Sequence, residues 1–349
     1  VPPDFLLGVV EGFYGRPWSQ QLRLDYAPVL RQLGLNSYLY APKADPFLRK
    51  QWQSDWPSAE WRQLRELASR YAAAGLSFGV GLSPFLLYAD YGAAEQRQLR
   101  RKIERLNELQ TPLLAVLFDD MPGDQADLAG RQAEIVVDIE RWTSAPRILV
   151  CPTYYSFDPV LERHFGRRPG SYWDELGRML PAGVDLLWTG NQVCSQAIRQ
   201  QDLARAREAL GRSPVLWDNY PVNDGALRSR HLYLDPLPQR QACTAEVLRG
   251  HFCNPMIQGL CSLPALLGLA RLYAQRELAD SVLDAILGAD TWRQLQRDSS
   301  LFRDQGLDMP EQQRKELEEL YRGLPGAAAA EVVRWLRGED TFDPACLTD

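Results

Sequence analysis

Eight short apolar runs alternate with helix-like stretches up to about residue 275, at intervals of roughly thirty residues. The runs are 5–13 (FLLGVVEGF), 36–42, 76–84, 113–120, 147–155, 184–190, 214–220 and 247–254. Several lack polar alternation, as expected of strands buried on both faces. Helical periodicity falls at 20–33, 58–74, 93–109, 126–143, 172–180, 196–210, 239–246 and 264–275, with Gly34 and Gly75 where two helices should stop. Eight such units predict an α/β chain folded as a (β/α)8 TIM barrel. An open doubly wound sheet is the alternative, but the first run continues into EGFYGRPW without the glycine-rich loop such sheets carry. Beyond residue 276 the pattern is helical only, at 279–288, 291–303, 310–323 and 326–337. The expected division is a barrel over 1–275 and a helical appendage over 276–349.

The run LLAVLFDD closes on Asp119 and Asp120. Burying two acids at a strand end is costly without a purpose. Placed together, they should titrate apart, one holding a proton while the other stays charged, as acid–base catalysis requires. Met121-Pro122-Gly123-Asp124 provides a turn that could bring both into one pocket.

In a barrel of this class the working face lies where strands end. Those ends supply Glu11, Gly12 and Tyr14; Lys43 and Asp45; Asp119 and Asp120; Cys151, Tyr154 and Tyr155; Trp188, Thr189 and Asn191; Trp217, Asp218, Asn219 and Asp224; and Asn254. Carboxylates and amides bind hydroxyls, and aromatic rings cover the C–H face of a sugar. The mouth predicts a neutral, polyhydroxylated substrate.

A net charge of −6 gives no support to nucleic-acid binding. No apolar run is long enough to span a membrane. Three histidines without metal-ligand spacing predict neither metal nor cofactor. Six scattered cysteines without a CxxC pair suggest reduced thiols and a cytoplasmic setting. No leader is visible in VPPDFLLGVV, which leaves export open. Oligomeric state is not legible.

The blocks GVVEGFYGRPW (8–18), YLYAPK (38–43), LFDD (117–120), CPTYY (151–155), LLWTG (186–190), WDNYPVND (217–224) and CNP (253–255) resemble glycoside hydrolase family 84, the O-GlcNAcases and bacterial β-N-acetylglucosaminidases. Tyr220-Pro221-Val222 looks closer to the bacterial members. The resemblance implies a retaining exo-β-N-acetylglucosaminidase acting on GlcNAc-bearing proteins or glycans, in which the substrate's 2-acetamido oxygen attacks C1 and forms an oxazoline. By position, Asp119 would hold the acetamido N–H, and Asp120 would be acid and then base. Tyr155 would steady the intermediate. Gly12, Lys43, Asn219, Asp224 and Asn254 would hold the ring hydroxyls, with Trp217 and Cys151 walling the acetyl methyl.

Plainer roles are expected for several neighbours. Glu11 reads as a barrel-floor residue paired with a donor, Tyr154 and Trp188 as packing, and His164, His231 and His251 as structural or loop residues. Two other functions compete: a silent GlcNAc-binding module, and a two-carboxylate retaining glycosidase using Asp224.

Overall fold

The computed structural model describes residues 2, 4–243, 246–274, 278–340 and 342–348. Its eight strands are β1 (Leu6–Glu11), β2 (Ser37–Tyr40), β3 (Ser77–Leu82), β4 (Leu113–Leu117), β5 (Arg147–Cys151), β6 (Asp185–Trp188), β7 (Val215–Asp218) and β8 (Gly250–Cys253). They pair in parallel, in chain order, and β8 returns to β1 to close the barrel. The registers Gly8↔Ser37 and Leu6↔Gly250 fix the two sides of β1. All eight expected strands are present, each shorter than its apolar run.

Helices α1 (Gln20–Leu33), α2 (Ser58–Ala73), α3 (Ala93–Asn107), α4 (Leu128–Trp142), α5 (Val160–Phe165), α6 (Tyr172–Met179), α7 (Gln200–Leu210) and α8 (Leu263–Tyr273) accompany the barrel. The first shows how local sequence sets them. Ser19 Oγ accepts from Leu22 N–H at its start, and Gly34 adopts a left-handed φ of 79° at its end. Between them Tyr26, Ala27, Leu30 and Leu33 are buried, a stripe at helical spacing that faces the barrel.

Two departures concern the crossovers. The six-residue α5 was not expected; so short an element carries little periodic signal. The helix expected over 239–246 does not form in its described residues. Leu237 and Gln239 take left-handed φ values of 46° and 55°, between Pro236, Pro238 and an inserted arginine. Arg240 turns inward to Asp218 and also donates to the Ser195, Gln196 and Pro238 carbonyls, so the chain here serves a buried ion pair instead of a helix.

After the barrel come α9 (Ser281–Leu287), α10 (Ala289–Asp304), α11 (Glu311–Gly323) and α12 (Ala327–Leu336). The expected boundary at 275/276 lies outside the described residues. α12 docks beside the β8–α8 connection: Glu331 accepts the Cys261 N–H at 3.0 Å, and Trp335 Nε1 donates to the Ser229 carbonyl at 3.1 Å. Burial pushes the Glu331 carboxyl up to about 7. Among the described residues, no helix is long and apolar enough to cross a membrane.

Candidate active site

The C-terminal rim of the barrel holds a cavity lined by Gly12, Lys43, Asp119, Asp120, Cys151, Tyr155, Trp217, Asn219, Asp224 and Asn254. These are all ten site residues expected from sequence, brought together from β1, β2, β4, β5, β7 and β8.

The acid pair reaches the cavity by a route other than the expected one. β4 stops at Leu117, and the acids themselves make the turn, with Asp120 at a left-handed φ of 55°. A left-handed φ is strained for most residues and tolerated best by Asn, Asp and Gly. Arg49 holds this turn in place. It donates to the Asp120 carbonyl at 3.0 Å, approaches the Asp119 carbonyl at 3.5 Å, and is itself fixed by Ser83 Oγ at 2.9 Å.

The two carboxylates have different surroundings. Lys43 Nζ is ion-paired with Asp119 Oδ2 and stands 4.0 Å from Asp120 Oδ2. Burial would push the Asp119 carboxyl up, but the charges of Lys43 and Arg49 outweigh it and hold the group below the usual carboxylate range. Its Oδ1 is buried with no hydrogen-bond partner in another described residue. Asp120 is held at both oxygens: Tyr14 donates to Oδ2 at 2.7 Å and Tyr155 to Oδ1 at 2.9 Å. Burial, first, and the nearby carboxylates push both tyrosine hydroxyls well above 10, so they remain donors.

The far wall is an amide network. Gly12 N–H donates to Asn254 Oδ1 at 3.2 Å, and Asn254 Nδ2 and Trp217 Nε1 both donate to Asn219 Oδ1 at 2.9 Å. Gly12 has to be glycine: a Cβ there would lie 2.2 Å from the Trp217 ring. Asp224 accepts the Tyr14 N–H at 2.7 Å through Oδ2. Burial pushes its carboxyl up to about 6.

Tyr14 and Arg49 are the residues that sequence reading did not assign to the site. Tyr14 was visible at a strand end but carried no assigned role; its hydroxyl and amide link Asp120 to Asp224. Other strand-end residues belong elsewhere. Glu11, the last residue of β1, is paired with a donor as expected, but toward α1 and not on the barrel floor: Arg23 grips it at 2.6 and 2.9 Å, and the Tyr38 hydroxyl donates to it. Asp45 accepts from Phe47 N–H and Trp56 Nε1, capping a turn. Trp188 and Tyr154 are core, as expected. His251 is buried between Asp218 and Tyr273, a structural residue. No group of three or more His, Cys, Asp or Glu among the described residues could hold a metal ion.

The profile of the β-N-acetylglucosaminidase family matches residues 7–287. The chain belongs to this family, glycoside hydrolase family 84. Over 278 residues it is 31% identical to the mouse protein O-GlcNAcase, a match covering 77% of this chain and 30% of the mouse protein. The rat protein O-GlcNAcase matches at 31% over 282 residues, with the same coverage. The chain thus spans about a third of the length of these curated relatives. An O-GlcNAc hydrolase structure from Thermobaculum terrenum superposes with a TM-score of 0.77 at 28% identity, covering 95% of this chain and 81% of that one. Membership in this glycosidase family accords with a mouth built from carboxylates, amides and an indole.

Proposed function

We propose that this protein is a retaining exo-β-N-acetylglucosaminidase that removes terminal β-linked GlcNAc, as O-GlcNAc from Ser or Thr of proteins or as GlcNAc from glycans. One observation carries the reading: Asp119, which lines the cavity, keeps one buried oxygen with no partner in another described residue while a cation clamps its other oxygen. An orphan acceptor of this kind costs stability unless a ligand donor completes it. The acetamido N–H is such a donor. As Asp119 accepts it, electron density moves to the amide oxygen, which attacks C1 to form an oxazoline.

Asp120 gives its proton to the departing glycosidic oxygen, then takes one from the water that opens the oxazoline. Tyr14 and Tyr155 fix its orientation. Lys43 offsets the negative charge of the pair. Asp224, Asn219 and Asn254 accept and donate to ring hydroxyls, and Trp217 with Cys151 encloses the acetyl methyl. The catalytic unit is assigned to residues 1–275, and the helices of 276–349 to buttressing it, an assignment the α12 contacts support. The unbridged, buried Cys151, Cys243, Cys253 and Cys261 support a reduced, cytoplasmic setting.

The test is hydrolysis of aryl N-acetyl-β-glucosaminides with good and poor leaving groups. Asp119→Asn is expected to slow both. Asp120→Asn is expected to slow the poor leaving group far more, because a good one needs little protonation. Equal losses in Asp120→Asn remove its role as acid. Binding without turnover in the unaltered protein would favour the silent module, and a trapped glycosyl–enzyme would favour the two-carboxylate scheme.

A further inference from the structure

The cavity is too small for the substrate proposed for it. Its free volume is about 40 Å³, far below the roughly 300–1,000 Å³ of ordinary ligand pockets. Two residues of this chain's own segment 342–348 narrow it. Cys346 and Thr348 line the cavity. The Thr348 hydroxyl bonds to Tyr155, and the Cys346 thiol approaches Asp224 Oδ1 at 3.8 Å. Those are two of the groups assigned above to the sugar.

The segment turns over 343–346 and then runs on through Leu347 and Thr348. Cys346 and Thr348 face the sugar cavity, while Asp343, Ala345 and Leu347 line an adjoining groove of about 380 Å³ with Ala44, Lys50 and Phe85. An Asp343 turn sets its entry: Asp343 Oδ1 accepts the Ala345 N–H at 2.9 Å, and the Asp343 carbonyl accepts the Cys346 N–H at 2.9 Å. The hold is shallow. Thr348 is buried, but Phe342, Pro344, Ala345 and Leu347 are exposed. A segment with so little burial belongs to the low-stability end of a structure and can open locally.

We propose that the groove and cavity above Asp119 and Asp120 form a docking surface whose occupant in the free protein is the chain's own segment 342–348, which has to leave before a hexosamine can enter. The competition with sugar rests on the function proposed above; the docking itself does not. The segment acts as a competing ligand, lowering the fraction of molecules open to substrate, so it raises KM and leaves kcat alone.

The experiment compares the unaltered chain with the double variant Cys346→Ala/Thr348→Ala. Hydrogen exchange without ligand reads the docking: amides of 343–348 are expected to exchange faster in the variant, with β4 and β7 unchanged. Kinetics with an aryl N-acetyl-β-glucosaminide read the competition: KM is expected to fall roughly three- to tenfold at unchanged kcat. A synthetic peptide of residues 342–348 is expected to inhibit the variant competitively. Unchanged exchange overturns the docking. Faster exchange with unchanged KM, or with a fall in kcat, overturns the competition and makes the segment inert or part of the machinery. Faster exchange with no turnover in either protein would leave docking standing and remove the catalytic reading.

Discussion

Asp218 and Asp119 both sit at the barrel's C-terminal rim, both buried, and they solve the cost of a buried charge in opposite ways. Asp218 is saturated. Arg240 donates to Oδ1 at 2.7 Å and to Oδ2 at 2.9 Å, and His251 Nε2 lies 3.1 Å from Oδ2. Burial works against its charged form, but Arg240 and His251 bring the carboxyl down to about 2. Asp119 also has its charge secured, by Lys43 and Arg49, yet keeps one oxygen without a partner in another described residue. Of these two acids, the closed one supports the fold and the open one is the acceptor that the proposed substrate would complete.

The sharpest way to break this contrast is at the closed centre. Arg240→Ala strands a buried carboxylate and is expected to cost about 3–5 kcal/mol of stability, read from urea midpoints, with kcat per folded molecule unchanged. The pair's contribution is present above the ordinary aspartate pKa and is lost as pH falls toward about 2. A variant of native stability would show that Asp218 is not charged in the folded state. At the open centre, Asp119→Asn is expected to lower kcat/KM about 10²–10³-fold while moving the urea midpoint little. A large stability loss with modest kinetic change would put Asp119 in the same class as Asp218.

Arg49 tests whether the open centre depends on its backbone. Arg49→Ala is expected to lower kcat/KM about 10- to 100-fold, and Arg49→Lys is expected to restore part of it. The acid limb of the pH–rate profile should move upward in Arg49→Ala, because Asp119 loses a positive charge that holds its carboxyl down, and less in Arg49→Lys, which keeps that charge. An unshifted limb would reduce Arg49 to a packing residue.

The smallest effect concerns Asp224. Its carboxyl, raised to about 6, keeps a proton in the folded protein that it would release unfolded, so its contribution to stability declines as pH rises from about 4 to 6. Only the anion offers every lone pair to sugar hydroxyls. KM is therefore expected to rise about two- to tenfold between pH 7 and 5, with kcat less affected. A flat KM would detach Asp224 from the sugar.

The barrel was legible because each strand is a short, mostly apolar run with most of its polar residues at the ends, and α1 because a serine cap and a glycine stop bracket its stripe. The site was legible because strand ends converge by geometry once a barrel is accepted. What stayed hidden was set by tertiary partners. The turn at Asp120 depends on a left-handed backbone that Arg49 stabilises from 71 residues away, and a single arginine in a polar stretch reads as surface. The missing helix near 240 reflects a demand of Asp218, which lies on another strand. Segment 342–348 carries no helical or strand period, so the role proposed for it comes only from where it sits.

The central claim is that the substrate's own amide is the nucleophile, guided by the open oxygen of Asp119. Its most direct test is kcat/KM for one aryl β-glucosaminide carrying acetamido, monofluoro-, difluoro- and trifluoroacetamido groups. If the amide oxygen attacks C1, each fluorine weakens it, and the rate falls steadily across the series, more shallowly in Asp119→Asn. A rate independent of fluorination would contradict the account.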